Sequence, residues 1–142
     1  MCGIIAFMEN KIDSTREGRL FNKLRLLMKT LRGPKGCPWD REQTRISLKP
    51  YLVEEAYEVI EAIDAKDDEK LKEELGDLLF QILFYVRIAE EENSFSMSEV
   101  LKDSLDKMKR RHDHVFGKKK ARNAQEALAM WNAMKKKERA KM

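Results

Sequence analysis

The sequence predicts an all-α protein, and three observations carry that reading. Apolar residues recur at intervals of three and four along most of the chain, helix-starting residues stand where those stretches begin, and no alternating run or hairpin signal marks a strand. With 142 residues, 42% of them apolar, the chain can bury one core without help from disulfides. The expected organisation is an N-terminal arm, residues 1–16, followed by a single helical domain, residues 17–142, built as a bundle of about five helices.

Leu20, Phe21, Leu24, Leu27, Met28 and Leu31 predict a first helix over Glu17–Leu31, which Gly33-Pro34 stops. The segment GPKGCPWDREQT then carries two glycines and two prolines in twelve residues, and reads as a long non-helical connection of the kind that is often functional. Ser47 is placed to cap a second helix, with Pro50 tolerated in its first turn and Leu48, Leu52, Ala56, Val59 and Ile63 forming its apolar stripe to near Lys66. A third helix starts at an Asp67-Asp68 cap, carries Leu71, Leu75, Leu78, Ile82 and Val86 in register, and becomes apolar nearly all round through LLFQILFYV. Such a helix is central, covered by its neighbours or by another subunit. Ser98-Glu99 opens a fourth helix through Val100, Leu101, Leu105 and Met108, and Asn123, with Glu126 three residues on as a capping box, opens a fifth bearing Leu128, Trp131 and Met134.

The longest stretch without a charged residue, Leu78 to Val86, is nine residues, far below the roughly 20 needed to span a bilayer. The opening MCGIIAFMENK has no basic segment before its apolar run, so it does not read as a secretory signal, and a cytoplasmic protein is expected. Cys2 and Cys37 have no CxxC pairing and read as free thiols, which suggests neither a disulfide framework nor a zinc site. The formal net charge of +4 conceals two opposed blocks: 14 acidic against 4 basic residues from Glu54 to Glu92, and 14 basic against 5 acidic from Lys102 to Met142. Such blocks are either solvated faces or two sides of a site that holds a cation and a polyanion together.

Within the acidic block, Glu54-Glu55-x-x-Glu58 on the second helix is followed by Glu74-x-x-Asp77 on the third. Spacings of three and four set side chains on one helical face about 5–6 Å apart, and like charges so placed repel. Glu55 and Glu58 border the apolar stripe, and Asp77 directly precedes the apolar stretch, so these carboxylates crowd against a core and ask for a positive partner. Four oxygen-donor side chains on two antiparallel helices suit a hard divalent cation, magnesium above all. An isolated ExxE is most often a solvated face; the pairing of two such motifs and the helix-interior Gly76, which costs about 0.5–1 kcal/mol relative to alanine, favour a metal site. A di-iron bundle needs Glu-x-x-His pairs, and neither His112 nor His114 follows a glutamate at that spacing.

In KMKRRHDHVFG, Lys107 and Arg111 lie one helical turn apart beside Arg110, a spacing fit to hold successive phosphates. Alone, a basic helix is more often solvated; beside a magnesium site it completes a clamp for a triphosphate. His112 and His114 suit either proton transfer or a structural or phosphate-facing role. Trp39 and Trp131 suit stacking on a base or packing in a core, and spacing favours packing for Trp131. Nucleic-acid binding by the basic C-terminal half is the weakest reading, because no recognisable reading motif accompanies it.

The ordered segments LRGPKGCPWDREQTRISLKPYLVEEAYEVIEAI, EELGDLLFQILF and KMKRRHDHVFG resemble the MazG family of all-α nucleoside triphosphate pyrophosphohydrolases, over about residues 20 to 137. The resemblance implies cleavage of the α-β phosphoanhydride of ribo- or deoxynucleoside triphosphates to a monophosphate and pyrophosphate, with magnesium required and manganese able to stand in. It implies metal ligation by Glu55, Glu58, Glu74 and Asp77, with Glu54 assisting a further ion or the attacking water. It also implies phosphate contacts from Lys107 and Arg111 and a base contact from Trp131. Its fold implies a homodimer or higher homo-oligomer that completes the four-helix core, as the all-apolar third helix independently requires. Arg45 stands where the family's QTH loop has histidine, and Asp113 replaces the proline of its HPH, departures that bear on loop geometry and base preference. Some family copies do not turn over, so a regulatory nucleotide-binding module is the alternative, as is a relative restricted to a deoxynucleotide or phosphoribosyl-ATP. MCGIIAF resembles the Cys-Gly-Ile opening of glutamine amidotransferases, but those domains are larger and strand-rich and nothing after residue 8 continues the pattern.

Overall fold

A computed structural model describes residues 15–142, and residues 1–14 of the expected arm, Cys2 among them, lie outside these. Among the described residues there are seven helices and no strand, as the all-α reading requires: α1 Arg16–Leu31, α2 Pro38–Glu42, α3 Lys49–Asp64, α4 Asp68–Glu91, α5 Met97–Arg111, α6 Asp113–Phe116 and α7 Ala124–Ala140. The five expected helices are present, and α2 and α6 are short additions. Their contacts divide the chain into two compact units, one ending at Met97 and one running from Ser98 to Met142.

In the first unit, α3 and α4 pair along their lengths and α1 packs on α4. Met28 of α1, Leu48 at the start of α3, and Phe84 and Ile88 of α4 form a buried cluster against which Phe80 and Tyr85 pack. Full burial of side chains of this size is worth about 1.5–3 kcal/mol each. Asp67 caps α4 as expected, its side chain accepting from the Lys70 N–H at 3.0 Å. Ser47 does not cap α3. Leu48 holds that position, while the Ser47 hydroxyl donates to Gln43 Oε1 and accepts from the Thr44 N–H, closing the turn before the helix. On α3, Ala62 is buried and Ile63 exposed, so the stripe bends one position from the expected register.

The segment expected to be wholly non-helical contains α2, with Pro38 in its first turn. Arg32 organises this connection: its Nη1 donates to the Asp40 carbonyl at 2.5 Å and to the Gln43 carbonyl at 3.1 Å, while its Nε meets Glu91 Oε2 at 2.7 Å. Gly36 is obligatory there, since a Cβ would lie 2.1 Å from the Leu31 carbonyl oxygen. In the second unit α6 packs on α7, and Asn123 caps α7 by accepting from the Glu126 N–H at 2.9 Å. Glu126 reaches one residue further back than a capping box requires, to the Arg122 N–H at 2.8 Å.

Candidate metal centre and basic cluster

The α3–α4 pairing decides where the acidic motifs fall. The two helices are joined by residues 65–67 alone, so α4 returns directly alongside α3 and its Glu74-x-x-Asp77 meets Glu55-x-x-Glu58. One carboxylate oxygen from each of Glu55, Glu58, Glu74 and Asp77 lies within 4.8 Å of the others. Glu74 is buried, Glu55 and Glu58 are half-buried and Asp77 is exposed, so the cluster opens to solvent on the Asp77 side. Glu54 stands beside it on α3, exposed.

No arginine or lysine among the described residues pairs with these four carboxylates, and one oxygen each of Glu55 and Glu74 is buried without a hydrogen-bond partner. Burial first, and then the neighbouring charges of Glu58, Asp77 and Glu74, push the Glu55 carboxyl up to about 7. Burial and the adjoining Glu58 raise Glu74 as well. Concentrated, uncompensated oxygen donors of this kind fit a hard divalent ion. At Gly76 a Cβ would meet nothing within 4 Å, so no neighbouring helix among the described residues approaches the backbone there.

The basic cluster lies in the second unit. Lys107 is exposed on α5 with Arg111 one turn on. Both expected arginines are engaged by one residue of α7: Arg110 Nε donates to Glu138 Oε1 at 2.7 Å, and Arg111 Nε and Nη2 donate to Glu138 Oε2 at 3.2 and 2.9 Å. These guanidinium groups hold the Glu138 carboxyl down at about 2. Trp131 lies under Arg111, 5.2 Å from guanidinium carbon to ring centroid, and edge-on to His112 at 5.1 Å. With His112, His114, Ala127 and Leu128 it lines a cavity of about 270 Å³. Trp39 is half exposed, edge-on to Tyr51. Sequence reasoning missed Glu138, although it is one of two acids on α7 and stands seven residues from Trp131, hence on its face of the helix.

Residues 43–116, more than half of the chain, match the MazG nucleotide pyrophosphohydrolase domain. The chain belongs to the MazG family. The match takes in all four clustered carboxylates, Lys107 and Arg111, and ends before Trp131. Among relatives, the nucleoside triphosphate pyrophosphohydrolase/pyrophosphatase MazG of Thermotoga maritima is 54% identical over 100 residues, 70% of this chain and 39% of that protein. The nucleoside triphosphate pyrophosphohydrolase of Escherichia coli K12 is 47% identical over 120 residues, 84% of this chain and 46% of that protein. This MazG chain thus spans less than half the length of those curated relatives. In fold it is similar to a crystal structure of a mazG-related protein from Thermotoga maritima, with a TM-score of 0.67 at 27% identity, covering 81% of this chain and 98% of that one. No helix among the described residues is long and apolar enough to cross a membrane.

Proposed function

We propose that this MazG chain hydrolyses nucleoside triphosphates, ribo- or deoxyribo-, between the α- and β-phosphorus to release a monophosphate and pyrophosphate, with magnesium as the cofactor. The observation that carries the proposal is the convergence of Glu55, Glu58, Glu74 and Asp77 oxygens, without a cationic partner, on one opening of the α3–α4 pair. These four residues hold the divalent ion, and manganese, which takes the same oxygen donors, is able to replace it. When bound, the ion supplies Lewis-acid stabilisation of phosphate charge and a more acidic water. Glu54, exposed beside the cluster, accepts the proton of the attacking water. Lys107 and Arg111 offset the charge that builds on the departing pyrophosphate, Arg110 adds to the field around them, and Trp131 contacts the base. The names of the relatives support the same reaction class.

The test is incubation of the purified chain with each common ribo- and deoxynucleoside triphosphate and magnesium, followed by product identification. Pyrophosphate with monophosphate is expected; orthophosphate with diphosphate would refute the assigned bond. Glu58→Gln and Asp77→Asn are each expected to cut turnover by about a hundredfold or more with the helical fold intact. Turnover at the parent rate in both variants would remove these residues from the chemistry. Magnesium-dependent nucleotide binding with no product at all would make this chain a regulatory binding module instead.

A further inference from the structure

Arg111 is held on two sides within the second unit. Trp131 covers a face of its guanidinium, and Glu138 Oε2 takes the edge formed by Nε and Nη2. Only 14% of the side chain remains exposed. A guanidinium carries five N–H donors arranged along two usable edges. Glu138 consumes two of them, both on one edge, and leaves the opposite edge, Nη1 with the second N–H of Nη2, for another acceptor. The other oxygen of Glu138 is taken by Arg110, so two guanidinium charges share one carboxylate and the trio keeps a net charge of +1. Lys107, one turn before Arg111, is exposed.

We propose that Glu138 is a positioning residue for polyphosphate: it presses Arg111 against Trp131 and leaves the second edge of its fork unoccupied, one helical turn from Lys107, and sets how much positive charge the cluster presents. The inference rests on the reading of Lys107 and Arg111 as the phosphate-holding pair. Glu138 occupies one edge of the Arg111 fork and so orders the guanidinium in place of competing for it, sparing an arriving phosphate the cost of fixing a long side chain. An amide cannot reproduce this, because its single carbonyl serves one arginine and its N–H₂ faces the other.

Binding of tripolyphosphate with magnesium to the full chain, by titration calorimetry, separates the possibilities. Arg111→Ala and Lys107→Ala test the underlying reading: if neither weakens binding, the phosphate assignment of the cluster is wrong, whatever Glu138 does. If they do, Glu138→Gln is expected to weaken binding about tenfold, the scale of a lost charge-assisted hydrogen bond. In an Arg111→Ala background the same change is expected to have less than about a twofold effect, since the coupling runs through Arg111. Glu138→Asp, which keeps the charge on a shorter arm, gives an intermediate loss and serves if the amide variant fails to fold. Binding unchanged or tightened by both Glu138 variants overturns the inference, as does a loss that persists undiminished without Arg111.

Discussion

The Glu55 carboxyl illustrates how a site can oppose the fold that carries it. In an unfolded chain it ionises near 4.5, and in the folded protein near 7. The folded state therefore binds that proton more tightly, and the stability so gained is complete below about pH 4.5 and lost as the pH rises through 7. The metal-free protein is expected to show a Tm that falls across this window, more steeply than in Glu55→Gln. On the proposed assignment of the site, magnesium would stabilise the ionised form, so its effect on Tm should be small near about pH 5 and grow toward about pH 8. A magnesium shift that does not vary with pH, measured by thermal denaturation with and without chelator, would show that the ion binds elsewhere. Gly76 sits two residues from Glu74 on the same helix with open space at its Cβ position. Gly76→Ala should therefore raise the stability of the metal-free protein by about 0.5–1 kcal/mol, read by denaturant unfolding. Unchanged or lower stability would mean that something absent from the isolated chain approaches that backbone.

Two of the three long helices of the first unit, α3 and α4, are followed by left-handed residues that are not glycine. Lys66, with φ 53°, follows α3 and Asn93, with φ 55°, follows α4. Each closes its helix by a hydrogen bond reaching back five residues, Asp67 N–H to the Ala62 carbonyl and Ser94 N–H to the Ala89 carbonyl. Asparagine tolerates this conformation, whereas lysine pays for its Cβ. Lys66→Gly is expected to stabilise the α3–α4 pair by about 1 kcal/mol, visible as a shifted urea midpoint at constant slope. No gain would mean that the unfolded-state freedom of glycine cancels the relief. The same elements show what the sequence made legible. Periodicity and the Asp67 and Asn123 caps located the five longer helices, and spacings of three and four placed Glu54, Glu55 and Glu58 on one helix and Glu74 and Asp77 on the next as a candidate cluster, because both are local properties. Arg32 gathering two carbonyls of the α2 connection, and Glu138 gathering two arginines from another helix, depend on partners 8 to 59 residues away. Each of these contacts joins residues that do not share a helix, so no single periodic segment contains both ends.

The chain as a whole exposes more apolar surface than its burial pattern accounts for, and the excess is ordered. On α3, Val53, Tyr57 and Ile60 stand at spacings of four and three and are 54%, 62% and 50% exposed. They lie on the side of α3 opposite Glu55 and Ala62, since seven residues return a helix nearly to the same face while two residues turn it about 200°. On α4, Leu75 and Ile82 repeat the pattern, seven residues apart and each nearly half exposed, away from Phe84 and Ile88. Both helices that build the carboxylate cluster are therefore apolar on two sides, one filled within the chain and one open to water. Contiguous apolar faces of this kind mark association surfaces, and the composition of α4, apolar nearly all round, asks for a cover on its second side. A homodimer that pairs the α3–α4 helices of two copies supplies that cover with one self-complementary surface. Light scattering on the eluting protein should return twice the chain mass, and a charge on the open face, as in Ile60→Asp or Tyr57→Glu, should return it to the single-chain value with the helical signal retained. A parent protein that elutes with the mass of one chain at micromolar concentration would mean that this face is covered by something other than a second copy.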